Sequence, residues 1–246
     1  MVIDVLRAST TMATALAHGA SGVLPVRDLA EARSRGLALG PAAITGGERG
    51  GRRIEGFDLG NSPLEYGRDR VAGRTVVFTT TNGTAAIDAC RDAREVLVGA
   101  VANRTAVAAA ARRLALAAGG ADVHLVCAGT DGIETREDLL GAGAILDAAA
   151  RGRTATDDDV LDPDAVLALA DFRGVVAAGG DASDGGRTTP PPALVEAFRG
   201  AAGGRNLVAL GMEADLVACA RIDGLVAVPR LDRTSGLLIA DGAARG

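Results

Sequence analysis

The sequence predicts an α/β fold, on three observations. Short apolar runs rich in β-branched residues alternate along the chain with stretches of helical length. Polar turns follow several of the strand-like runs, which is where open α/β sheets bind ligands. The 246 residues suffice for one large α/β domain or two small ones. The expected organisation is a single domain over 1–246, open to a division into two α/β subdomains of about 1–150 and 151–246.

The first expected strand is Met1–Leu6, cut off at its front, so the N-terminal edge reads as truncated. A helix follows to His18-Gly19, with Ser9 or Thr10 as N-cap and Gly19 beyond its end. Asp4 then lies at the carboxyl end of a strand, close to free helix N–H groups that favour anions. Gly22–Val26 is a second strand, Asp28–Leu39 a helix, and Ala43–Thr45 a short strand. Gly46–Pro63 has neither helical nor strand period and reads as a long loop. Its six glycines permit close backbone approach to a ligand. Glu48, Glu55 and Asp58 suit a hard cation, and Arg49, Arg52 and Arg53 an oxyanion.

Pro63–Arg70 reads as a helical turn and Arg74–Thr79 as a strand. Thr79–Thr84 supplies four threonines, Asn82 and Gly83 where that strand turns into a helix over Ala85–Arg91, a lysine-free cradle for phosphate. Glu95–Val98 and Val123–Cys127 are strands flanking a helix over Asn103–Ala118. Thr135 and Asp138 have the spacing of a capping box at the start of a helix over Glu137–Leu146, whose small residues allow close packing on a sheet. Beyond it come an acid cluster at Asp157–Asp159, a helix over Asp164–Phe172 and a flexible loop over Gly179–Pro192. Helices over Ala193–Phe198 and Glu213–Ala220 flank an apolar segment, Asn206–Leu210. Strands over Leu225–Pro229 and Gly236–Ile239 close the chain. Thr11, Ala13, Ala20, Val23 and Leu24 recur as Thr84, Ala86, Ala93, Val96 and Leu97, so the turns Asp4–Thr11 and Val77–Thr84 are expected to aim at one cleft.

Composition excludes several function classes. All 26 basic residues are arginine, which removes any Walker A, Schiff-base or pyridoxal-phosphate lysine. A net charge of -5 with arginines scattered among acids, and 2% aromatic residues, argue against nucleic acid as a partner. No run of 18 apolar residues exists to cross a membrane. Cys90, Cys127 and Cys219, odd in number and with apolar or helical flanks, are expected as buried thiols in a reducing cytoplasm.

Four stretches together resemble one family: Ile3–Thr11, Gly46–Gly51 with Gly56–Pro63, Thr80–Thr84, and Glu137–Ala144. In that order they are similar to the 2-phosphosulfolactate phosphatases, with a fainter likeness through Gly211, Asp215, Asp223 and Val228-Pro229. The resemblance implies a three-layer α/β/α fold with a mixed, largely parallel sheet. It implies a magnesium-dependent phosphatase converting (R)-2-phospho-3-sulfolactate to 3-sulfolactate and phosphate, a reaction that serves coenzyme M synthesis. Residues before the first strand of the family are missing here, and residues 150–205 diverge.

Carried onto this chain, the resemblance implies that magnesium is held by a subset of Glu48, Asp58, Glu137 and Asp138. Asp4 or Asp58 is then the nucleophile or the base, and Arg49 with Arg7 clamps the anion. Ser9, Thr10, Asn61, Ser62, Thr81, Asn82, Gly83 and Thr84 line the substrate pocket. A lyase acting on a sulfonate or carboxylate, and a silent anion-binding protein, are the alternative readings. The expected partner is a small phosphorylated hydroxy acid, and a homodimer is allowed.

Overall fold

The computed structural model describes residues 1–151, 160–178 and 189–242. The Asp157–Asp159 cluster and most of the Gly179–Pro192 loop lie outside the described residues. The chain runs β1 (Val2–Ile3), α1 (Ala8–Ala17), β2 (Gly22–Pro25), α2 (Leu29–Leu39), β3 (Ala43–Arg49), β4 (Arg52–Arg53), α3 (Arg68–Val71), β5 (Thr75–Thr79) and α4 (Gly83–Ala89). It continues through β6 (Val98–Gly99), α5 (Arg104–Ala117), β7 (Val126–Cys127), α6 (Arg136–Arg151) and α7 (Pro163–Ala178). It ends with α8 (Pro192–Gly200), α9 (Ala202–Ala209), α10 (Glu213–Cys219), β8 (Pro229–Leu231) and β9 (Leu238–Ala240).

The sheet is mixed and largely parallel, as expected. One part has the order β6-β1-β7, all parallel, with Val2 opposite both Val98 and Val126. The other has the order β4-β3-β5-β2-β9-β8, parallel across β3, β5 and β2 and antiparallel elsewhere. An antiparallel bridge between Leu97 and Arg230 joins the two parts, reinforced by the Leu231 N–H donating to the Val96 carbonyl at 2.9 Å.

Alternation along the strands decides which helices cover which face. Ile3 packs with Val5, Val107, Leu140, Ile145 and Phe172, the side covered by α5, α6 and α7. Its neighbour Val2 packs the other way, with Met12, Ile87, Val23 and Phe78, against α1 and α4. Val77, next to Phe78, faces Val26 and Ala32 of the α2 side. Helices therefore cover both faces, which explains strands that read as continuous apolar runs. The small residues of α6 do allow close packing, because a side chain at Gly141 would run into Val5 and Ile3.

Several elements differ from expectation. Gly46–Arg49 is no loop: it is the second half of β3, paired with β5 through Gly46–Phe78 and Gly47–Thr79, and it turns back as β4. Its glycines hide the strand period because the backbone comes too close to Tyr66 and Thr79 to admit side chains. Helix α1 starts after Arg7 rather than at Ser9 or Thr10, and the Asp4 carboxylate accepts from its Ala8 N–H instead. Asp138 closes no capping box with Thr135, since it accepts from Val5 and Gly129. The strands at Met1–Leu6, Glu95–Val98 and Val123–Cys127 shrink to two residues each, and His124 falls outside β7. Asn206–Leu210 belongs largely to the helix α9, and the Leu225–Pro229 strand shifts to Pro229–Leu231.

Candidate active-site cleft

A cavity of about 460 Å³ opens between the carboxyl ends of the strands and α9. Asp4 and Arg7 enter it from the β1–α1 junction, Glu48, Gly50 and Gly51 from the β3–β4 hairpin, and Thr81 and Asn82 from the β5–α4 turn. Glu137 and Asp138 come from the start of α6, and Asn61 precedes Pro63. The two turns that recur in sequence do meet in one cleft. A second cavity of about 310 Å³ lies beside α5; alanine and leucine make up about half of its lining, and Arg94, Glu95, Asp122 and His124 also line it. The polar cleft is the candidate site.

Each acid is held by main-chain hydrogen bonds. Glu48 is 7% exposed; it accepts from the Thr81 N–H at 2.8 Å and the Gly51 N–H at 2.8 Å, tying the hairpin to the β5–α4 turn. Asp138 accepts from Val5 at 2.8 Å and Gly129 at 2.9 Å. Asp4 Oδ1 accepts from the Ala8 N–H at 3.2 Å. Its Oδ2 lies 2.6 Å from where a Cβ on Gly83 would stand, so only glycine fits there. Glu137 Oε1 accepts from the Gly203 N–H at 2.8 Å. Glu137 Oε2 and Asn61 Oδ1 are buried without a partner.

Crowded acids resist ionisation. Burial pushes the Asp4 carboxyl up to about 7; the Ala8 N–H and Arg7 oppose the shift, while Glu48 and Glu137 add to it. Burial, then the neighbouring Asp4, raises Asp138 well above the usual carboxylate range despite its two N–H donors. A cation bound among these oxygens would reverse both shifts.

The structure separates the expected site residues into two groups. Asp4, Arg7, Glu48, Asn61, Thr81, Asn82, Glu137 and Asp138 line the cleft. Arg49 does not. On a strand, consecutive side chains face opposite ways, so Glu48 enters the cleft and Arg49 leaves it. Arg49 donates to the Glu48 carbonyl at 2.6 Å, Thr79 Oγ1 at 2.9 Å and the Arg27 carbonyl at 3.2 Å. Asp58 is also outside: its exposed carboxylate accepts from the Thr45 N–H at 2.8 Å and Thr45 Oγ1 at 2.7 Å. Partial burial would raise that carboxyl, but these bonds outweigh it and hold it below its ordinary value.

The hydroxyls of Ser9, Thr10 and Thr84 also serve the scaffold. Ser9 Oγ accepts from the Asp4 N–H, Thr10 Oγ1 donates to the Val5 carbonyl and Thr84 Oγ1 donates to the Thr80 carbonyl. Gly83 is a steric gap beside Asp4. Ser62 stands one layer back, donating to Asp215 Oδ1 at 2.5 Å. Sequence reasoning missed the wall formed by Thr130, Asp131, Ala202, Gly203 and Asn206, and gave no role to Asp215, whose place in the faint tail resemblance was the available signal.

The donor set is all oxygen, which suits a hard cation such as magnesium. Among the described residues no three acids, histidines or cysteines converge at metal-ligand spacing. Magnesium commonly takes one or two carboxylates and fills its remaining positions with water and substrate oxygens. The unpartnered Glu137 Oε2 is the protein oxygen best placed for it, so the residues fit the ion.

A helix-covered mixed sheet with an acidic, oxygen-lined cleft at its strand ends defines an α/β protein built to take a small, oxygen-rich ligand. A family profile described as 2-phosphosulpholactate phosphatase matches residues 1–234, and the chain belongs to that family. A protein of Caldicellulosiruptor saccharolyticus, named probable 2-phosphosulfolactate phosphatase, is 44% identical over 147 residues, 60% of this chain and 60% of that relative. Two relatives of the same name align more fully. The one from a Synechococcus species is 38% identical over 94% of this chain and 88% of its own length. The one from Deinococcus radiodurans is 40% identical over 94% of this chain and 86% of its own length.

Proposed function

We propose that the protein is a magnesium-dependent phosphatase that hydrolyses (R)-2-phospho-3-sulfolactate to 3-sulfolactate and phosphate. The observation that carries this reading is the meeting of four acids, Arg7 and the β5–α4 turn in one cleft, in a chain of this family. Glu137, through its unpartnered Oε2, is the residue that would hold magnesium, with water and substrate oxygens in the remaining positions. The ion, when bound, supplies charge neutralisation for the transferring phosphoryl group.

The chain's own groups do the rest. Arg7 binds an oxyanion of the substrate. Thr81 and Asn82 orient the phosphate at the start of α4, where helix N–H groups favour negative charge. Asp4 Oδ2, on a side chain that lines the cleft, takes the proton from the attacking water as general base. α9 closes the far wall and excludes bulk water. The protein works in the cytoplasm, a placement supported by three unpaired cysteines and by the lack of a membrane-crossing helix among the described residues. The test is phosphate release from 2-phospho-3-sulfolactate with magnesium and with a chelator. Magnesium-dependent release is expected; release unaffected by the chelator, or none from this substrate, rejects the reading.

A further inference from the structure

Behind the cleft a buried polar network runs from Arg7 to Asp215 and Ser62, two residues to which the proposed reaction gives no role. Asp215, in α10, is 3% exposed, and Arg7 is 2% exposed. Asp215 Oδ2 accepts from Arg7 Nη1 at 2.7 Å, and Asp215 Oδ1 accepts from Ser62 Oγ at 2.5 Å. Arg7 Nη1 also contacts Met212 Sδ at 3.0 Å, and Nη2 donates to the Gly51 carbonyl at 2.7 Å. We propose that Asp215 is a positioning residue, which fixes the Arg7 guanidinium in the cleft wall so that its remaining donors meet the substrate oxyanion. This inference rests on the phosphatase reading above.

The geometry distinguishes a positioning role from a plain structural ion pair. Arginine and carboxylate commonly pair as a two-pronged fork. Here Ser62 occupies the second carboxylate oxygen, so the pair is single-pronged. A guanidinium has five N–H donors. The three bonds above leave Nε–H and one Nη2 hydrogen without a partner among the described residues, on a side chain that lines the cleft. Fixing the group in advance lowers the ordering cost when an anion binds. The Gly51 carbonyl adds the β3–β4 hairpin to the same arginine, so Arg7 and Glu48 are held in register across the cleft.

The test compares wild type with Asp215→Asn, Ser62→Ala, Arg7→Gln and the double variant Arg7→Gln/Asp215→Asn. It reads KM and kcat with 2-phospho-3-sulfolactate, and calorimetric affinity for inorganic phosphate with magnesium present. Asp215→Asn is expected to raise KM and weaken phosphate binding about tenfold, with kcat changed less than about threefold. Ser62→Ala shifts both in the same direction by a smaller factor. In the Arg7→Gln background, Asp215→Asn adds less than about twofold, because both act through one guanidinium. Unchanged KM and phosphate affinity in folded Asp215→Asn, or multiplicative effects in the double variant, overturn the proposal. If Asp215→Asn fails to fold, unchanged KM and phosphate affinity in Ser62→Ala do so. If wild type releases no phosphate from the substrate, the phosphatase reading fails and the phosphate-affinity comparison still decides the role of Asp215.

Discussion

Glu137 Oε2 is a carboxyl oxygen of the cleft that is buried and without a partner. An unpartnered buried polar group costs stability unless a ligand supplies the partner. Glu137→Gln keeps the acceptor for Gly203 and replaces the other carboxyl oxygen with an amide nitrogen. It is expected to leave the melting temperature unchanged or raise it in chelator, while weakening magnesium about 10–100-fold by calorimetry; a large loss of stability without metal argues against a ligand role. Asp58 gives the opposite expectation. Its carboxylate is spent on Thr45 outside the cleft, so Asp58→Asn is expected to keep turnover within about threefold. Abolished turnover in the folded variant would return Asp58 to the reaction. Most acids of the site were legible in the sequence, because Asp4, Glu48, Glu137 and Asp138 all lie on the motifs that carried the resemblance. The misplacement of Arg49 came from reading Gly46–Arg49 as a loop. Once that stretch is a strand, Glu48 and Arg49 face opposite ways.

At the scale of elements, Asp147 is the clearest junction. It lies on α6 and accepts from Arg173 of α7 at 2.8 Å, Arg151 at 2.9 Å and Arg104 of α5 at 3.2 Å. Arg104 also stands over the Phe172 ring, 5.5 Å from its centroid, and binds Asp223. Burial alone would raise the Asp147 carboxyl, but the Arg173 and Arg151 bonds outweigh it and hold it below its ordinary value. A folded pKa below the unfolded one means that the contribution is fully present above the unfolded value of about 4 and disappears as pH falls through the folded value. Asp147→Ala is therefore expected to cost about 2–3 kcal/mol at pH 7, less than a fully buried pair because two of the arginines reach solvent. The gap from wild type should narrow as unfolding is measured toward pH 3; a gap that widens in acid rejects this account. Helices were the most legible elements because their periods are long. Two-residue strands such as β6 and β7 left their apolar flanks to be read as longer strands, and the glycines of α9 masked a helix.

Across the whole molecule, the cleft is assembled from both ends of the chain. The β1–α1 junction supplies Asp4 and Arg7, while α9 and α10 supply Gly203, Asn206 and the Asp215 that holds Arg7. The last two strands, β8 and β9, extend the sheet from β2, so the tail is part of the same core as the front half. This long-range closure was the least legible feature, because no local period reports a contact between residues 7 and 215. It has a thermodynamic consequence. Four carboxyl groups line the cleft and Arg7 is already paired with Asp215, so the cleft alone offers an anion little uncompensated positive charge. Phosphate alone is therefore expected to bind poorly, and magnesium to improve its binding; by reciprocity, phosphate must tighten magnesium by the same factor. A ligand at about 100 times its Kd stabilises the fold by about 2.7 kcal/mol. Thermal unfolding with chelator, magnesium, phosphate and both should thus show a combined upward shift larger than the sum of the separate ones. Equal stabilisation by phosphate with and without magnesium would mean that the acids do not need a cation to admit the anion.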